Sequence, residues 1–94
     1  MIGLVDMVGG VASEPRTVGT CGAAESRFRL HGTAAVGWRM IVARGALAMV
    51  AQQRLRQGTR CLVRGQEVPS PEGDPRGEIS VDPDAGGELL LVAW

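Results

Sequence analysis

The chain has 94 residues, ten arginines against ten acids for a formal net charge of zero, and 45% apolar residues. That length supports one domain with a single modest core. Fourteen glycines and five prolines favour a turn-rich barrel or sandwich over a helical bundle, and no apolar run is long enough to span a bilayer. Residues 2–12 are apolar with paired glycines at 9 and 10, which predicts a long first strand with a bend. Residues 13–22 read as a turn around Pro15, Gly19 and Gly22. Residues 26–31 alternate, with Ser26, Phe28 and Leu30 on one face and Arg27, Arg29 and His31 on the other: a half-buried strand with a basic outer side.

A short loop over 32–37 leads to a third strand, 38–44, with Trp38, Met40, Val42 and Arg44 on one face and Arg39, Ile41 and Ala43 on the other. Residues 46–57 change period: Leu47, Val50, Ala51 and Leu55 follow helical spacing, and Gly58 stands where a left-handed C-terminal cap is expected. Period two returns over 59–66, with Cys61 and Val63 inward and Arg60, Leu62 and Arg64 outward. Residues 69–77 are an acidic, turn-rich loop. Short strands at 79–81 and 88–94 close the chain, joined by the turn DPDAGG. Three strands, a helix, a strand, a loop and one or two strands is the layout of an all-β, five-stranded OB-fold barrel with one helix between strands 3 and 4.

Two segments carry a family likeness. MVGGVASEPR (residues 7–16) pairs Val-Gly with an acidic-Pro turn. WRMIVARGALAMVAQQRLRQGTRCLVRGQ (residues 38–66) joins a Trp strand, a Gly-x-Leu-Ala helix, a Leu-Arg-x-Gly turn and a Gly-Gln ending without a gap. Together with Phe28 at a core position, they resemble the bacterial single-stranded DNA-binding protein family; a short primosomal relative fits as well. The likeness spans about two thirds of the chain.

The resemblance implies sequence-independent binding of single-stranded DNA, or RNA, in replication, recombination or repair. Bases stack on aromatics inside a basic groove, since every base offers a π-face. Trp38 matches a family tryptophan that contacts DNA. Arg44 stands where a second family aromatic falls, and its planar guanidinium substitutes in part. The resemblance also implies a homodimer or homotetramer and a cytoplasmic, nucleoid-associated protein. The chain departs from the family in the short 32–37 loop, in its scarcity of aromatics, and in being a single OB-fold domain over 1–94 with no C-terminal acidic tail. Without that tail, recruitment of repair proteins is not expected.

Charge supports a nucleic-acid partner. Residues 1–65 carry nine arginines against three acids, net +6, and residues 66–94 carry seven acids against Arg76 alone, net −6. Such a split is a recognised sign of nucleic-acid binding. Arg27, Arg29, Arg60 and Arg64 read either as phosphate contacts or as the solvated face of strands; Arg54 and Arg56 read as helix surface. The acidic stretch 67–88 reads as a solvated loop region. Cys21 and Cys61, with no CxxC and one histidine in the chain, exclude the usual zinc arrangements and read as buried thiols. Residues 1–12 contain no basic leader. No spacing joins His31 to Cys21, Ser26 and an acid as a nucleophile, base and orienter, so neither an enzyme nor a cofactor is expected. Trp94 reads as closing a strand or a subunit contact. The second reading is a degenerate OB barrel that meets proteins and has lost its groove.

Overall fold

In the computed structural model, which describes residues 3–92, the first strand changes partner along its length. Strand β1 (Val5–Val11) ladders antiparallel with β5 (Arg60–Val68) from Val5↔Gly65 to Gly10↔Arg60, while Gly10 and Val11 also pair with His31 and Leu30 of β3 (Glu25–His31). Gly9 makes this corner possible. A Cβ there would stand 2.2 Å from the His31 carbonyl oxygen. Gly65 is the equivalent corner in β5, where a Cβ would meet the Ser80 carbonyl oxygen at 2.3 Å. Beyond it, β5 leaves β1 and pairs with β6 (Glu78–Val81) through Gln66↔Ser80 and its neighbours.

The ring is completed by β3 against β4 (Trp38–Arg44), antiparallel, and β4 against β6, parallel. Strands β1, β3, β4, β6 and β5 thus form a closed five-stranded barrel. Two strands are appended: β2 (Arg16–Val18) on β3, and β7 (Glu88–Leu91) on β5. The expected OB barrel is present. Its helix α1 (Ala46–Arg54) follows the third barrel strand, which is the fourth strand of the chain once β2 is counted. Among the described residues no helix is long and apolar enough to cross a membrane.

The core follows the sequence alternation. Phe28, Leu30, Ile41, Ala43, Cys61, Val63, Ile79 and Val81 fill the barrel, and Ala51 and Leu55 of the α1 region close one end. Small residues line the buried side of α1, Ala48 and Ala51, so the helix backbone can lie close to the barrel.

Two local expectations are corrected. The 13–22 segment is not all turn, because β2 pairs Arg16, Thr17 and Val18 with Arg27, Ser26 and Glu25. Gly58 does not cap α1. The helix ends at Arg54 with Leu55 extended, and Gly58, at φ 95°, serves the tight turn into β5, where its N–H donates to the Val11 carbonyl at 2.7 Å. Cys61 is a buried free thiol, as expected; the side chain of Cys21, and Trp94, lie outside the described residues.

Barrel closure also redistributes charge. Glu67, Glu78 and Glu88, all from the acidic third, reach Arg39, Arg27 and Arg64 of the basic two thirds. The two halves of the sequence interleave in space.

Candidate nucleic-acid interface

The outer face of the β3–β4 pair is set by strand parity. Register places Glu25 opposite Arg44, Arg27 opposite Val42, Arg29 opposite Met40 and His31 opposite Trp38. This brings four predicted site residues, Arg27, Arg29, Trp38 and Arg44, onto one surface.

Trp38 opens the row. It is half-buried, with the Arg29 guanidinium carbon 5.6 Å from its ring centroid and that of Arg76 at 4.6 Å. Arg76 belongs to the loop of residues 69–77 between β5 and β6, and pairs with Asp74 at 3.5 Å. A small cavity of about 40 Å³ between that loop and β4 is lined by Trp38, Met40, Ser70, Glu72 and Asp74 among others. The acidic loop therefore forms a wall of the Trp38 surface, where the sequence suggested a purely solvated segment.

Further along, the cations are held by carboxylates. Arg27 donates to Glu25 at 2.9 Å and to the buried Glu78. Burial works against its charge, but the hydrogen bonds it donates to Glu25 and Glu78 outweigh it and raise its pKa above the ordinary arginine value. Because Glu78 lies on β6, this pair crosses β4, and Val42 beneath it is fully buried although its parity is outward. Glu25 also accepts from Arg44 at 3.2 Å, while Arg44 Nε donates to Ser80 Oγ at 3.0 Å. One carboxylate thus holds two arginines.

Arg60 and Arg64 stand apart from this row. They face outward from β5 between β1 and β7, where Asp6, Arg64 and Glu88 form one cross-strand row and Val8, Leu62 and Leu90 the next. Arg64 clasps Asp6 with Nε at 2.7 Å and Nη2 at 3.2 Å. The hydrogen bond from Arg64 lowers the Asp6 pKa against an opposing desolvation effect, and the same bond raises that of Arg64. Ser26 is buried on the core side, with its hydroxyl accepting from Thr17 Oγ1 at 3.0 Å, on the opposite face of β3 from His31.

Two residues at this surface were not singled out from the sequence. Arg76 sits alone in an acidic loop and carries no local signal. Arg16 lies on a strand of three residues, too short for alternation to show.

No family model matches the chain, and no curated protein does. Solved structures do. One is a Plasmodium falciparum SSB in complex with ssDNA, with a TM-score of 0.74 and 18% identity over 99% of this chain and 96% of that one. Another is a small single-stranded DNA-binding protein from Streptomyces coelicolor, with a TM-score of 0.66 and 25% identity over 98% and 89%. The closed barrel, its helix after the third barrel strand and the near-complete overlap with both neighbours place this chain's fold among the OB barrels of single-stranded DNA-binding proteins.

Proposed function

We propose that this protein binds single-stranded DNA without sequence preference, as a non-catalytic component of replication, recombination or repair in the cytoplasm. One observation carries the reading: Trp38 stands on the outer β3–β4 face of an OB barrel with the Arg29 guanidinium beside its ring. An indole supplies the stacking plane, and the arginine a cation for phosphate. The two solved structures described above are of single-stranded DNA-binding proteins, which supports a single strand as the partner. Arg27 and Arg44 serve the same track as charges shared with Glu25. Arg60 and Arg64 lie off this track, on the β5 face beside the apolar row, and are not assigned to it. The apolar row of Val8, Leu62 and Leu90, with Val8 and Leu90 exposed, supports assembly into a homodimer or homotetramer.

The test is a fluorescence titration of the protein with a thirty-base oligo-dT at two salt concentrations. Saturable tryptophan quenching that weakens with salt is expected, because arginine–phosphate contacts release counterions. Trp38→Ala should lower affinity roughly 5- to 150-fold, the equivalent of about 1–3 kcal/mol for one stacked base. The absence of any quenching or mobility shift defeats the proposal. It would favour the second reading, a protein-interaction barrel, which draws support from the carboxylates already held by Arg27, Arg44 and Arg64.

A further inference from the structure

On the β2 side of the Trp38 row lies an open hollow of about 340 Å³, lined by Ser13, Glu14, Arg16, Arg27, Arg29 and Met40 among others. Its volume is at the lower end of small-molecule pockets, roughly 300–1,000 Å³. Three arginines converge on it, but they are not equivalent. Arg27 is matched by Glu25 and Glu78. Arg16 and Arg29 pair with no carboxylate among the described residues.

The remaining acid at the rim has one oxygen already engaged. Glu14 Oε1 accepts the Gln57 N–H at 3.0 Å, which ties it to the turn between α1 and β5. Ser13 Oγ accepts the Arg29 N–H at 3.0 Å, so its own proton is left to donate to an oxygen outside the protein. The strand register adds a further point. Arg16 is directly opposite Arg27 across the β2–β3 ladder, and like charges facing each other in a ladder are unfavourable unless an anion offsets them. The carboxylates satisfy Arg27, and among the described residues none does so for Arg16.

We infer that Arg16, Arg29 and Ser13 form a phosphodiester subsite, holding one linkage of a single strand while the adjoining base lies over Met40 toward Trp38. Two guanidinium forks and a hydroxyl match the tetrahedral, acceptor-only phosphate. The inference rests on the reading of the β3–β4 face as a single-strand surface. It also sets the polarity of that surface across β4, with backbone on the β2–β3 side and bases toward the acidic 69–77 loop, whose carboxylates repel phosphate.

The experiment measures oligo-dT affinity against salt for the parent, Arg16→Ala, Arg16→Lys and, as a control, Arg54→Ala at the far end of α1. Arg16 is exposed, so its replacement should leave the melting temperature unchanged. Arg16→Ala is expected to weaken binding several-fold at low salt and to reduce the log–log salt slope by about 0.7, the share of one phosphate on a single strand. Tryptophan quenching at saturation should be retained, since the stacked base is not touched. Arg16→Lys should recover the slope and only part of the affinity, because the fork is lost. If the parent binds and Trp38→Ala weakens it while Arg16→Ala matches the Arg54→Ala control, the subsite is overturned and the single-strand reading stands. If the parent binds no strand, both fall. Sodium phosphate at equal ionic strength should displace the strand from the parent more than chloride does and lose that advantage on Arg16→Ala; an advantage that persists on Arg16→Ala places the phosphate elsewhere and overturns the subsite.

Discussion

The Arg76 guanidinium lies over the Trp38 indole, 4.6 Å from its centroid, although the two residues come from opposite charge halves of the chain. Such a contact contributes about 0.5–1 kcal/mol at an exposed site, and it shields the ring. Arg76→Ala should therefore raise acrylamide quenching of Trp38, measured without DNA in a Trp94→Phe background, and lower stability by about 1 kcal/mol or less. Unchanged quenching would mean that the ring is screened by other groups.

Glu25 and Glu78 both hold Arg27 but should respond differently to neutralisation. Glu78 is 4% exposed, and Glu78→Gln leaves Arg27 in a half-buried site without its second anion, costing about 1–3 kcal/mol. Glu25 is more accessible and bridges Arg27 and Arg44, so Glu25→Gln should cost about 1 kcal/mol or less while releasing Arg44 and leaving Arg27 to Glu78. Urea midpoints measure the first difference. Strand affinity measures the second, with Glu25→Gln expected to bind several-fold tighter at low salt.

The barrel corners make a third case. Gly9→Ala and Gly65→Ala drive a methyl group into backbone carbonyls, which cannot rotate away as a side chain can. Each should cost about 3 kcal/mol or more, at the upper end of overpacking. Gly10→Ala is the comparison, since a Cβ there meets nothing within 4 Å, and it should melt near the parent. Equal melting temperatures for all three would mean that the strands can shift apart at the corners.

Cys61 supplies the pH dependence. Burial pushes its thiol up to about 11, above the value near 8.5 of an unfolded cysteine. The folded state therefore favours the protonated thiol. This contribution is fully present below about pH 8.5, the unfolded value, and is lost as pH rises toward about 11. In a Cys21→Ser background, a maleimide should modify Cys61 slowly at pH 8 in buffer and rapidly in urea. Equal rates in both would contradict its burial.

How much was legible in the sequence depended on the range of the signal. The alternation of Ser26, Phe28 and Leu30 with Arg27, Arg29 and His31 marks a strand with one wet face, and the 38–44 strand has the bounds its pattern predicted. Strand β2 escaped because three residues between Pro15 and Gly19 hold no period. Gly58 misled because a glycine after a helical run fits both a cap and a separate turn. The candidate arginines were visible as residues but not in their state. Glu78, which holds Arg27, and Asp6, which holds Arg64, lie 51 and 58 residues away in the chain, and only barrel closure reveals these pairs.

That closure also has a consequence during synthesis. Chains emerge N-terminus first at about 5–20 residues per second. The cationic portion of this one leaves the ribosome before Glu67, Glu78 and Glu88, and before β6 and β7, which close and flank the ring. For a few seconds a segment of net charge +6 is exposed beside ribosomal RNA, a dense polyanion that attracts it. Completion of the ring therefore also balances that charge, because β6 and β7 bring both the missing hydrogen bonds and the carboxylates Glu78 and Glu88.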